Sequence, residues 1–150
     1  MTIRRSMLAA SLAASLAFAA TAMAASAPAP TEASRLASQY SDWAGSRSNA
    51  DSLIAGLRNG APITIVTNSP DRSVSIAGFT PASSMSYGGV SSALAAAQHS
   101  LARLGIRQPN AEQIQAALIG GEIATASGGT TVMKGSVVAR GPAPAKVASR

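Results

Sequence analysis

The groups able to move protons, attack or bind metal are few. The acids are Glu32, Asp42, Asp51, Asp71, Glu112 and Glu122, the lone histidine is His99, and cysteine is absent. A hydrolase of the glycosidase kind needs two facing carboxylates, or one acid with help. Here Asp51 and Glu112 fall where helix N-termini attract negative charge, and Asp71 falls in a turn. Glu122 follows a Gly-Gly stop and opens a strand. His99 lies two residues before an apolar helix position, so it points sideways or outward, and a histidine-dependent triad would also need a nucleophile and an orienting acid in contact with it. One histidine without cysteine or a closely spaced acidic loop holds no metal, and no cofactor is expected. The Gly-Gly pairs at Gly88, Gly120 and Gly128 lack the lysine and spacing of a phosphate loop. This supply points away from catalysis, with a small carboxylate-using cell-wall hydrolase as the alternative.

Non-catalytic recognition has two aromatic candidates. Tyr87 with Gly88 and Gly89 can present a flat ring beside bare backbone, which suits a glycan or peptide, and this trio is the candidate ligand site. Trp43 with Tyr40 is the second. With so few large side chains in the chain, core packing is the simpler reading for both.

The N-terminus reads as a cleavable export signal. Arg4 and Arg5 form a positive n-region, and Met7 to Ala24 carries no charge. Ala22-Met23-Ala24 supplies the small residues that signal peptidase requires, which places cleavage between Ala24 and Ala25. The stretch reaches the lower limit of about 18 residues for a spanning helix, but alanine and serine dominate it and partition weakly into lipid. No second apolar run follows, so no transmembrane segment is expected after cleavage. Without cysteine there is no lipoprotein anchor, disulfide or thiolate site. Removal of residues 1–24 leaves 126 residues, enough for one small core. It also leaves 10 basic residues against 6 acids, a net charge of about +4. Those charges are scattered without interleaved aromatics, which with export argues against nucleic acid. Attraction to an anionic cell-wall or lipid surface is the functional alternative to ordinary solubility charge. The expected location is the periplasm or the exterior.

These residues need elements to position them. Residues 25–30 form a Pro/Ala linker and residues 139–150 a Pro/Ala-rich disordered tail, leaving a single domain over 31–138. A first helix opens at Thr31, with Ala33, Leu36, Tyr40 and Trp43 on one stripe and Gly45 as its end. A second follows Ser48-Asn49, buries Leu53, Ile54 and Leu57, and stops at Asn59-Gly60. Ile63–Thr67 and Ser73–Ile76 alternate around a turn cluster and predict a hairpin. After Gly89 comes the strongest helix, with Val90, Leu94, Ala97, Leu101 and Leu104 as its seam and Gly105-Ile106 as a Schellman end. Asn110 and Gln113 have the spacing of a capping box for a fourth helix. Glu122–Ala126 and Thr130–Lys134 flank a Ser-Gly-Gly turn and predict a second hairpin. The fold class is α+β: two helices, hairpin, two helices, hairpin.

Several separated blocks resemble one group. Trp43-Ala-Gly-Ser46, Asn49-Ala50, Gly56–Thr64, Phe79-Thr-Pro81, Met85–Val90 and Leu104–Gly121 are together similar to an uncharacterised family of small exported proteobacterial proteins, over about residues 43–121. The resemblance implies export and the paired helices around Pro109, but no catalytic or binding residue. This chain departs from the pattern at Ser86, where relatives have Gly, at Gly89, where they have Asn, and in its tail. The combined expectation is an exported, non-catalytic domain that binds an envelope protein or surface, with its oligomeric state open.

Overall fold

A computed structural model of the protein describes residues 31–69, 72–125 and 127–140. The export signal, its Ala24–Ala25 cleavage point, the Pro/Ala linker and the tail from residue 141 lie outside them. Each helix begins where a side chain satisfies an otherwise orphaned amide. The Thr31 hydroxyl accepts from the Ser34 N–H at 3.2 Å and opens α1 (Glu32–Tyr40). The chain then turns through residues 41–45 rather than staying helical to Gly45, so Trp43 sits on a turn. Ser46 caps α2 (Arg47–Asn59) by accepting from the Asn49 N–H at 3.1 Å. Ser48 and Asn49 are therefore already helical, not the start signal their types suggest.

The two strands β1 (Ile63–Asn68) and β2 (Val74–Phe79) pair antiparallel, with Ile63 opposite Phe79 and Asn68 opposite Val74. Ile63, Ile65 and Thr67 turn inward with Ala77 and Phe79, while Thr64, Val66, Val74 and Ile76 turn outward. Helix α3 (Tyr87–Arg103) starts three residues earlier than its seam suggests, because the Ser86 hydroxyl accepts from the Gly89 N–H at 3.2 Å. Its end is the expected Schellman motif: Gly105 has φ +78°, and the Ile106 N–H reaches Leu101 O at 2.9 Å. Helix α4 (Ala111–Ile119) carries the capping box, with Asn110 and Gln113 each accepting from the other's backbone N–H. The strands β3 (Gly121–Ala124) and β4 (Thr130–Met133) form the second antiparallel hairpin. The molecule is thus α+β, in the element order its periodicities imply.

The helices pack on the inner face of the first hairpin, α2 against β1 and α4 against β2, with α3 across both helices and β3 beside α4. Leu53, Leu57, Ile65, Leu94, Leu101, Ile114 and Leu118 are fully enclosed at their centre. Tyr40 and Trp43 join this core edge to face, ring centroids 6.1 Å apart. After β4 the chain crosses back. Val137 N–H donates to Leu118 O, Ala139 pairs antiparallel with Pro81, and Arg140 N–H donates to Thr80 O at 2.7 Å. Ordered pairing therefore runs to Arg140, into the stretch expected to be tail. No described helix is long and apolar enough to cross a membrane.

Candidate binding cleft

A cleft of about 820 Å3 opens where three segments distant in sequence meet. One wall is the turn between α1 and α2, with Asp42, Trp43 and Arg47. The second is the end of β1 from Val66 to Ser69, and the third is Gln108-Pro109-Asn110 leading into α4. Its volume lies within the range typical of ligand sites.

Two buried polar side chains hold these walls in register. Asn49 is 5 % exposed and spends its whole amide on backbone. Its Nδ2 donates to Ala44 O at 2.7 Å and Val66 O at 2.8 Å, while its Oδ1 accepts from the Val66 N–H at 3.1 Å. Asn49 thus occupies the outer edge of β1 at Val66 as a neighbouring strand would, and fixes the α1–α2 turn to that edge. Thr67, also buried, accepts from the Ala111 N–H at 2.8 Å through its hydroxyl, tying the start of α4 to β1. Both groups are hydrogen-bonded, as buried polar groups must be to avoid a desolvation cost. Strand alternation directs the N–H and C=O of Asn68 to the same edge as those of Val66, where the cleft begins.

The lining mixes apolar and neutral polar surface. Val66 is 42 % exposed, a large apolar side chain open to solvent beside the cleft wall. Trp43 is 4 % exposed, and its indole Nε1 is buried with no hydrogen-bond partner. A buried indole N–H ordinarily finds an acceptor; among the described residues this one has none. The rim carries one acid and one base. Arg47 is already engaged, through the hydroxyls of Ser38 and Ser34 at 3.0 and 3.1 Å and a 3.5 Å ion pair with Asp51. Asp42 is exposed. The arrangement favours a ligand that is largely uncharged, hydrogen-bonding and partly apolar.

The sequence candidates fall elsewhere. Tyr87, Gly88 and Gly89 form the first turn of α3, away from the cleft lining. The Tyr87 ring is half-buried against the core, and the Arg58 guanidinium lies over it at 4.6 Å from the centroid. Arg58 is held there by donating from Nη1 to Met85 O at 3.0 Å. One ring face is therefore covered by a cation–π contact. His99 is exposed on α3, and Glu32, Asp42, Asp51, Glu112 and Glu122 are all exposed. Among the described residues no three histidine or acidic side chains gather closely enough to hold a metal ion. Sequence reasoning singled out Trp43 but not its place in a cleft, and missed Asn49, Thr67 and Pro109 as its framework. A polar Asn inside an otherwise amphipathic helix, at a position facing the core, was the available signal. No protein-family model, curated protein or solved structure matches this chain.

Proposed function

We propose that this chain is an exported, non-catalytic binding domain of the bacterial envelope, and that the cleft beside the end of β1 takes an extended segment of a partner polypeptide. The observation that carries the reading is the edge of β1 beside the cleft, where the Asn49 side chain pairs with Val66 as a neighbouring strand would. Asn49 imitates one strand residue's pairing at Val66, and the main-chain groups of Asn68 continue that edge into the cleft. Added strands draw affinity from such main-chain bonds and specificity from alternate side-chain pockets. The export signal read from residues 1–24 supports the compartment, as does the resemblance to small exported proteobacterial proteins.

The experiment is site-specific photocrosslinking in envelope extract, with the reactive group placed at Gln108 in the cleft wall or at Ala95 on the exposed face of α3. Capture of one defined polypeptide from Gln108 but not from Ala95 supports the reading. Equal capture from both positions, or fragments released from purified peptidoglycan in place of a crosslinked polypeptide, contradicts it. The second outcome belongs to a carboxylate hydrolase.

A further inference from the structure

Asn59 and Gly60 form a pair whose chemistry the fold restrains. An asparagine followed by glycine loses its side-chain amide readily, because glycine puts no side chain beside the attacking main-chain nitrogen. Of the chain's asparagines, Asn59 alone precedes glycine. Asn49 is buried and fully bonded, and Asn110 holds the Gln113 N–H as the cap of α4. Asn68 precedes Ser69, whose N–H is held by Ser73 O at 2.8 Å. Asn59 is exposed at the last position of α2, and no hydrogen bond within the described residues engages its carboxamide.

We infer that Asn59 is a deamidation site gated by the last turn of α2. In the reaction the Gly60 main-chain nitrogen gives its proton to water and bonds to Asn59 Cγ. The bond from Cγ to the side-chain nitrogen breaks, and that nitrogen leaves as ammonia. Water then opens the five-membered ring. Cleavage of the new bond leaves an aspartate at position 59. Cleavage of the original peptide bond leaves an isoaspartate, with the main chain rerouted through the side chain.

The folded turn holds this reaction off. The Gly60 N–H donates to Gly56 O, which also accepts from the Ala61 N–H at 3.0 Å. Asn59 keeps a helical backbone, and closing the ring requires its ψ to rotate out of the helical range. The loop from Ser83 to Tyr87 anchors the turn. Leu57 O accepts from the Met85 N–H at 3.0 Å, and Arg58 donates from Nη1 to Met85 O at 3.0 Å while its guanidinium covers Tyr87. Gly60 lies against the same loop, since a β-carbon there would stand 3.2 Å from Ser84 N. Opening the gate therefore lifts the end of α2 off residues 83–87. Either product opposes reclosure: a carboxylate faces the negative end of the α2 dipole, and the isoaspartate adds a main-chain methylene at the bend into β1. The modification marks molecules in which this turn has opened.

This inference is independent of the cleft and its ligand. The purified chain and a synthetic peptide of residues 55–64 are incubated in water enriched in heavy oxygen at mildly alkaline pH, and label entering position 59 is followed by peptide mapping. The expected result is label at Asn59 ahead of every other asparagine, at a rate at least about tenfold below the peptide's, the protection that a locally stable turn provides. Asn59→Gln, whose longer side chain cannot close the same ring, should take up no label there. Arg58→Ala, which releases Met85 O and Tyr87, should raise the rate at least about threefold with the circular dichroism spectrum unchanged. If that variant does not fold, Arg58→Lys, which loses the planar fork but keeps the charge, should move the rate in the same direction. A folded chain that deamidates as fast as the peptide overturns the gate, and so does a folded Arg58 variant that reacts no faster than the unaltered chain. Label appearing first at Asn68 overturns the site.

Discussion

Asn49 joins two elements through one buried side chain. Three hydrogen bonds from one amide join the α1–α2 turn to the β1 edge. Asn49→Ala leaves part-buried donors and acceptors unpaired, and should lower stability by about 2–3 kcal/mol in urea unfolding. Thr67→Val keeps the shape but strands the Ala111 N–H. It should cost about 1–2 kcal/mol, whereas Thr67→Ser, which keeps the hydroxyl, should recover most of that loss. Equal stabilities for the valine and serine variants would show that the Thr67–Ala111 bond contributes little. Neither role was legible in the sequence. Asn49 acts on a residue 17 positions away and Thr67 on one 44 away. The core-facing position of Asn49 hints at a buried role, but nothing local names the strand it clamps.

At the scale of elements the sequence was far more readable, because caps and stops are local. Asn110 with Gln113, and Gly105 with Ile106, are self-contained devices whose partners lie within a turn or so. Where the boundaries moved, a neighbouring serine had done the capping: Ser46 took α2 back to Arg47, and Ser86 took α3 back to Tyr87. Close packing between elements was less accessible. Gly56 lets α2 lie directly on β1, since a β-carbon there would overlap Ile63 Cγ1. Gly135 lets the segment after β4 lie on the end of α4, where a β-carbon would overlap the Ile119 and Gly120 backbone. The two differ in what can yield. Gly56→Ala presses on a side chain and should destabilise by about 1–3 kcal/mol. Gly135→Ala presses on backbone and should cost more than Gly56→Ala by the same chemical-denaturation measurement. The reverse order would mean that the C-terminal segment moves off α4 at little cost.

The whole molecule brings together what no segment holds alone. The α1–α2 turn, the end of β1 and the approach to α4 meet in one cleft, while Glu32, Asp51, Glu112, Glu122 and His99 lie exposed outside it. The aromatic that sequence reasoning favoured for recognition, Tyr87, instead packs beneath Arg58. Trp43 shows why the site was hard to foresee. Its burial is ordinary for a small core, and only the assembled fold shows that its N–H lacks a partner and that its ring borders a cleft. That residue also supplies the direct test, because it is the sole tryptophan and, incorporated as 5-fluorotryptophan, gives one fluorine resonance beside the cleft that no added protein shares. The chain from Ala25 onward should be titrated with a solubilised envelope-protein fraction, with the same fraction after protease digestion, and with soluble peptidoglycan fragments. A saturable shift of the Trp43 fluorine resonance with the intact protein fraction, lost after digestion and absent with the glycan fragments, is the expected result. No change with the protein fraction, or a saturable change with peptidoglycan fragments instead, would contradict the account.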